Sequence, residues 1–139
     1  KARGVFFGLH SGHHRGHFAR AGLEGILYGL FTIYELLEAS AGNVEEIRAT
    51  GGYLQSQLML QMQADIFGKT ILVPSEHEGS VIGAAALAQK ALGQINSFQA
   101  LEDDFKIKAR YNPDETKHES YRENYSRFKK LYERLAPIF

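Results

Sequence analysis

The sequence has no cysteine, no net charge and no long apolar run, and each absence removes a class of protein. Without cysteine, the chain can form no disulfide, no thiol nucleophile and no thiolate metal site. A formal net charge of +0 argues against a protein that holds nucleic acid by bulk electrostatics. No apolar stretch is long enough to span a membrane. We therefore expect a cytoplasmic protein whose partners include neither nucleic acid nor a membrane.

The residues that are present are typical of one folded domain. The chain has 139 residues, of which 44% are hydrophobic and 23% are charged, enough to form a core and not typical of a disordered chain. The first residue is Lys1 rather than Met, and an apolar run follows almost at once at residues 5–9. We therefore expect this chain to be a piece cut from a longer protein.

A glycine pair in the middle of the chain is the first candidate site. Residues 45–50 predict a short strand, Gly51 and Gly52 follow, and residues 54–67 have the apolar spacing of a helix. Such a turn can bind phosphate, because glycine lets a ligand approach the backbone and a helix start offers free N–H donors. The same pattern also occurs in ordinary structural turns, so by itself it leaves both interpretations open.

The order of the elements predicts an α/β layer. Residues 71–73 predict a second strand, followed by an alanine-rich helix, so strand and helix alternate. Residues 18–39 form a helix that is apolar nearly all round, which predicts neighbours on more than one side. The three glycines in that helix suggest that another backbone comes close; they are Gly22, Gly25 and Gly29.

The last helix is predicted from its start signal and from one aromatic stripe. Asn112 is the expected N-cap, with Pro113 at the first helical position. Aromatic residues then recur at spacings of three and four, and this stripe favours packing on the domain over a cofactor site. Its members are Tyr121, Tyr125, Phe128 and Tyr132.

Four histidines lie within residues 10–17 and admit several interpretations. His13 and His17 would share one face of a helix, which is a spacing that can hold a metal, as in a metal-dependent hydrolase. The stretch contains two glycines and no carboxylate, which favours a polar loop at a helix entry. Protonated rings could also attract an anionic substrate. The role of this loop stays open at the level of sequence.

Short motifs in a fixed order cover nearly the whole chain. In chain order they are Phe6-Phe7-Gly8-Leu9, Arg20-Ala21-Gly22-Leu23-Glu24-Gly25, Ala49-Thr50-Gly51-Gly52, Gln61-Met62-Gln63-Ala64-Asp65-Ile66-Phe67-Gly68, Val73-Pro74, Glu78, Gly83-Ala84-Ala85-Ala86-Leu87-Ala88 and Tyr111-Asn112-Pro113. Each motif is loose alone, whereas the ordered set is specific. It resembles the C-terminal domain of the FGGY carbohydrate kinases, which include glycerol, xylulose and gluconate kinases.

The resemblance implies an α/β, actin-like (ribonuclease-H-like) ATPase domain with several helices packed on a small sheet. Residues 1–139 would be part of the nucleotide-binding C-terminal domain of a kinase that uses ATP and Mg²⁺ to phosphorylate a sugar or sugar-acid hydroxyl. The likeness is greatest to gluconate kinases, with xylulose kinases second. The catalytic Asp and most ligands of Mg²⁺ would lie in an absent N-terminal domain, so the fragment alone is expected to be inactive.

The resemblance also assigns the site residues. Gly51 and Gly52 would lie along the adenosine and the α-phosphate, and Ser56 would face the adenine. Tyr53 follows the glycine pair, where the family frequently has a small residue, and it would lie beside the same base. A partner-binding module that kept the fold without the chemistry remains the alternative from another class, and exposed apolar surface on the first long helix predicts that the fragment can form a homodimer.

Overall fold

The structure is a computed structural model that describes residues 3–75, 79–98 and 106–138. Within these ranges the helices are α1 (Arg15–Ala41), α2 (Gln57–Phe67), α3 (Gly79–Ala91) and α4 (Glu115–Leu135). The strands are β1 (Glu46–Arg48), β2 (Thr70–Pro74) and β3 (Ile107–Tyr111). Short 3-10 turns span Gly52–Gln55 and Ala136–Ile138.

The strands form one sheet in the order β1-β2-β3. β1 and β2 are parallel, with Ile47 opposite Ile71, and α2 is the crossover that a parallel pair requires. β3 is antiparallel to β2, with Tyr111 opposite Ile71. The α/β prediction and the first two strands are confirmed. β3 was not predicted, although residues 107–111 alternate between half-buried and exposed side chains.

The core lies on both sides of α2. On the side that faces the sheet, α2 and the turn before it pack in a cluster of Ala49, Leu54, Leu60, Ala64, Ile71 and Val73. On the other side, α2 packs against α1 and α4 in a cluster of Leu27, Tyr28, Met62, Ile66, Phe67, Tyr121 and Tyr125. Residues 62–67 are all buried, so α2 is the central helix of the described structure.

Two polar side chains buried in α2 connect it to neighbouring segments. Gln63 accepts a hydrogen bond from the hydroxyl of Tyr53 at 3.0 Å, which ties the turn after β1 to the helix. Asp65 accepts bonds from the side-chain amide of Gln61 at 2.8 Å and from the backbone N–H of Asp114 at 3.0 Å. Because buried polar groups are costly when unpaired, these bonds fix the position of both segments.

Described residues cover α1 on one side, so the exposed apolar surface expected on this helix is confirmed, and neighbours on a further side stay a prediction for a longer protein. Its other side exposes large apolar side chains, among them Ile26, Leu30, Ile33, Leu36 and Leu37. A Cβ built on any of its three central glycines would meet none of the described atoms within 4 Å. The expected close backbone is therefore not found among the described residues. None of the described helices is long and apolar enough to cross a membrane.

α4 begins two residues later than predicted. Its N-cap is Asp114, whose carboxylate accepts the N–H of Lys117 at 3.1 Å, and Pro113 precedes the helix. The Asn112 side chain accepts a bond from Thr70 instead. The aromatic stripe does pack on the domain, because Tyr121 and Tyr125 are buried against α1.

Candidate functional site

The candidate site is the turn that follows β1, at the edge where β1 and β2 both end. The two strands are parallel, so their carboxyl ends lie at the same edge of the sheet. Ala49 extends the pairing by one bond, since its N–H donates to the Leu72 carbonyl at 2.9 Å. In α/β folds, ligands bind at the carboxyl edge of the parallel strands.

The glycine pair leaves the backbone of this turn open. Gly51 has a φ of +104°, a conformation that favours glycine. Gly51 and Gly52 are both exposed, and a Cβ built on either would meet no atom of the described residues within 4 Å. A ligand can therefore reach the main chain here, as the phosphate-binding hypothesis requires.

The helix does not begin at the glycines, which corrects one part of the prediction. The 3-10 turn Gly52–Gln55 comes first, and α2 begins only at Gln57. Ser56 is the N-cap of α2, and its hydroxyl accepts the N–H of Met59 at 3.3 Å. The glycine backbone is therefore separated by one short turn from the positive end of the α2 dipole.

Of the other predicted site residues, Tyr53 lies within that short turn and Ser56 directly follows it. Tyr53 is half-buried, and its hydroxyl donates to Gln63. Burial raises the pKa of the Tyr53 hydroxyl, so it stays protonated at neutral pH. Both side chains therefore already make structural bonds, and the sequence did not indicate that Gln63 would hold Tyr53.

The second connection between a strand and a helix opens at the same edge. β2 ends at Pro74, and α3 is described from Gly79, while Glu78 lies outside the described residues. Gly83, Ala84 and Ala85 of α3 are exposed.

A cavity of about 330 Å³ lies elsewhere, between α1 and α4. Its lining includes Phe31, Glu35, Arg122 and Lys129, and no residue of the glycine turn belongs to it. Gly51 and Gly52 are exposed within the described ranges, and this cavity is separate from the glycine turn.

Residues 10–17 fold as two copies of one unit, His-x-Gly-His. In the first copy, Nδ1 of His10 accepts the N–H of Gly12, and Nδ1 of His13 accepts the N–H of His10, both at 3.1 Å. The second copy repeats both bonds at 3.2 Å and begins α1; its bonded residues are His14, Gly16 and His17. The repeat is visible in the sequence as His10-Ser11-Gly12-His13 followed by His14-Arg15-Gly16-His17.

These bonds weigh against the metal hypothesis for the histidines. A ring nitrogen that accepts an N–H bond carries no proton, so each neutral ring holds its proton on Nε2. Metal binding through Nε2 would require the other tautomer and would break the backbone bond. Among the described residues, no group of three or more His, Asp or Glu side chains is placed to hold a metal ion. The arrangement favours the helix-entry loop.

Comparison with known proteins assigns the chain to a family. Residues 1–92 match the model of the FGGY family of carbohydrate kinases, C-terminal domain, and the chain belongs to this family. It is 41% identical to a gluconokinase of Bacillus subtilis over 86% of the chain and 24% of that protein. It is 32% identical to a xylulose kinase of Staphylococcus epidermidis over 98% of the chain and 28% of that protein.

Solved structures of the family have the same fold. A gluconate kinase from Lactobacillus acidophilus matches with a TM-score of 0.87 and 29% identity over 97% of this chain and 27% of its own. A glycerol kinase from Plasmodium falciparum, solved with ADP, matches with a TM-score of 0.73 and 26% identity over 92% and 26% of the two chains. The predicted actin-like α/β fold is therefore confirmed, and the chain spans about a quarter of the length of these relatives.

Proposed function

We propose that this chain is the ATP-binding part of a carbohydrate kinase that transfers the γ-phosphate of ATP to a hydroxyl of gluconate, giving 6-phosphogluconate. The observation that carries the proposal is the open glycine turn at the carboxyl edge of β1 and β2. Membership of the carbohydrate kinase family supports it, because such a kinase must hold a nucleotide.

The geometry of the turn suits a nucleotide that lies flat along the backbone. Without side chains at Gly51 and Gly52, phosphate oxygens and the ribose can approach the main chain closely. The half-buried ring of Tyr53, held through its hydroxyl, offers a fixed apolar surface beside the turn. These residues bind and orient the nucleotide, and we assign no proton transfer to them.

Phosphoryl transfer also needs a base and Mg²⁺ held near the γ-phosphate. We propose that the catalytic Asp and the main ligands of Mg²⁺ belong to a preceding domain of a longer protein. The chain spans about a quarter of the length of its curated relatives, which leaves such a domain to the rest of a longer protein.

Gluconate is the favoured substrate because the identity to the gluconokinase is 41%, against 32% for the xylulose kinase. A xylulose kinase is the second candidate, and the observation that favours it is that a solved xylulose kinase from Brucella ovis matches this chain with a TM-score of 0.88, slightly above the 0.87 of the gluconate kinase.

The test uses the full-length protein that contains this chain, with ADP release measured on gluconate, D-xylulose and glycerol. A Gly52→Ala variant places a methyl group beside the turn, where it meets no described atom of the protein. We expect it to raise KM for ATP roughly fivefold or more, as when a hydrogen bond to a charged group is weakened. KM for the sugar should not change.

Gly22→Ala is the matched control, since its new methyl group also meets no described atom and lies in α1. An unchanged KM for ATP in Gly52→Ala would contradict the nucleotide role of the turn. If the full-length protein phosphorylates D-xylulose and not gluconate, the proposed substrate is D-xylulose instead. Sustained turnover by the 139-residue chain alone would contradict the proposal that the catalytic Asp and the main ligands of Mg²⁺ belong to another domain. Sedimentation of that chain tests the expected homodimer.

A further inference from the structure

The start of α1 is capped by imidazole rings, where helices ordinarily use hydroxyl, carboxylate or amide side chains. We propose that the two His-x-Gly-His units form a proton-operated cap, closed at neutral pH and opened by mild acid. Opening would release the first turn of α1 and the turn before it. This inference concerns residues 10–18 and is independent of the proposed kinase function.

The second unit is a complete capping box built from histidine. His14 is the N-cap, in an extended conformation, and its ring accepts the N–H of Gly16. His17, at the third helical position, returns a bond by accepting the N–H of His14. In the usual capping box, Ser or Thr and Glu or Gln fill these two positions. Histidine can replace them only while Nδ1 has a free lone pair.

The glycine of each unit leaves room for the folded-back ring. A Cβ on Gly12 would lie 2.9 Å from Cε1 of His10, and a Cβ on Gly16 would lie 3.1 Å from Cε1 of His14. Each ring therefore lies directly over the glycine whose N–H it accepts. The same close approach in both units indicates a repeated structural motif.

Protonation removes the acceptor on which the motif depends. Since Nε2 already carries the proton of the neutral ring, an added proton must go to Nδ1. Two N–H groups would then face each other, and a positive charge would lie at the positive end of the helix dipole. The closed form therefore binds fewer protons than the open form, and its stability is lost as pH falls.

The rings form one continuous row. The ring centroids are 3.9 Å apart for His10 and His13, 5.1 Å for His13 and His17, and 4.1 Å for His14 and His17. While the units stay closed, a positive charge on one ring repels a positive charge on the next ring. Opening relieves this repulsion, so the transition should be steeper than the titration of a single group.

The charged surroundings do not compensate a proton on these rings. Desolvation and the other three imidazoles lower the pKa of His13 from its ordinary value of about 6.5. The hydrogen bond that its Nδ1 accepts from the N–H of His10 should therefore persist at a somewhat lower pH than for an ordinary histidine. The nearest charged residues along the chain are cations, since Arg15 lies in the same turn and Arg3 lies in the preceding segment. The first carboxylate along α1 is Glu24, and it already bonds to Arg20 and Tyr121. Within the described ranges, none of the four rings forms an ion pair.

Opening would also affect the segment before the histidines. The ring of Phe6 packs edge-to-face on Phe18 of the first turn, with centroids 5.3 Å apart. Phe18 in turn donates its N–H to the carbonyl of His14. Loss of the cap therefore weakens the contact that holds residues 5–7 to α1.

The test is amide hydrogen exchange of the full-length protein at pH 7.5 and pH 5.5, corrected for the intrinsic pH dependence of exchange. We expect the protection of Gly16, His17 and Phe18 to fall roughly fivefold in acid, about the effect of losing an N-cap. Amides in α2 should keep their protection. Equal protection of residues 16–18 at both pH values would overturn the proposal.

The matched control replaces the two acceptors by ones that stay ionised at both pH values. In the double variant His14→Asp with His17→Glu, we expect full protection at pH 5.5, while His118→Gln should keep the wild-type response. The same acid loss in the double variant would overturn the proposal. If that variant does not fold, ¹⁵N spectra of labelled histidine decide, because a proton on Nδ1 at pH 7.5 contradicts the proposed bonds.

Discussion

α1 and α2 are both largely apolar helices, but their surroundings are opposite. α2 has 11 residues, and residues 62–67 are buried without a break. α1 has 27 residues, and of its described side chains only Leu27 and Tyr28 are buried. α2 lies between the sheet and the pair α1 and α4, whereas the described neighbours of α1 lie on one side.

The comparison shows that an apolar pattern predicts a need for burial but not which element provides it. In α2 two polar side chains, Gln63 and Asp65, are buried as well, and both have partners from other segments. In α1 the apolar residues at Leu36 and Leu37 have no such cover among the described residues. Since the chain spans about a quarter of its relatives, we expect further parts of a longer protein to cover this face.

The largest expected effect separates the two faces of α1 itself. Leu27 is fully buried, and Leu36 is 70% exposed. We expect Leu27→Ala to lower the free energy of unfolding of the 139-residue chain by about 2–5 kcal/mol, because it leaves a cavity in the core. At protein concentrations where sedimentation shows a monomer, Leu36→Ala should cost less than about 0.5 kcal/mol. Urea unfolding followed by circular dichroism measures both.

The two leucines have the same side chain and lie in the same helix, so each variant is a control for the other. Similar losses for both variants would mean that the exposed face of α1 is buried in the isolated chain, for example by a second copy. Repeating both measurements at several protein concentrations separates these cases, because burial in a dimer makes stability depend on concentration.

The second prediction concerns the polar anchor of the central helix. In Asp65→Ala, the side-chain amide of Gln61 and the backbone N–H of Asp114 lose the buried carboxylate that accepts their hydrogen bonds. We expect a loss of about 1–3 kcal/mol in the free energy of unfolding. Amide exchange should also locate the weakened segment at the first turn of α4, which Asp114 caps.

Glu123→Ala is the control for removing an acidic side chain. Glu123 lies 3.9 Å from Arg127, and both side chains are more than 70% exposed. Its loss should cost less than about 0.5 kcal/mol, as for most surface ion pairs. A loss in Asp65→Ala no greater than that of the control would show that the buried bonds do not fix α4.

The parts of the fold that sequence predicted correctly are those with strong local signals. α2 was predicted from its apolar spacing, and β2 from three consecutive apolar residues. β3 was missed because its short alternation, which includes Lys108 and Arg110, becomes a strand only through pairing with β2. For α1 the exposed apolar surface was expected correctly, but the pattern cannot show which elements cover that surface in a longer protein.

Helix starts show where local signals compete. Asn112 and Asp114 are both good N-cap residues, and sequence favoured Asn112 because Pro113 follows it. In the structure, Asp114 is the N-cap because of tertiary hydrogen bonds. The Asn112 side chain accepts a bond from the hydroxyl of Thr70, and Asp65 accepts a bond from the N–H of Asp114. At the candidate site, sequence located the glycine pair correctly as a turn, but it missed that Ser56 caps a helix that begins only at Gln57, after a short 3-10 turn.

The smallest expected effect tests whether the glycine face of α1 is open. Gly25→Ala adds a methyl group that meets no described atom within 4 Å, so it should stabilise the 139-residue chain by about 0.5–1 kcal/mol through helix propensity. Gly68→Ala is the contrasting variant, because Gly68 has a φ of +62° and its Cβ would lie 2.6 Å from the ring of His118. A destabilised Gly25→Ala chain would contradict the open face. Stabilisation in this chain but destabilisation in the full-length protein would instead show that another backbone covers the glycines there, as the sequence first suggested.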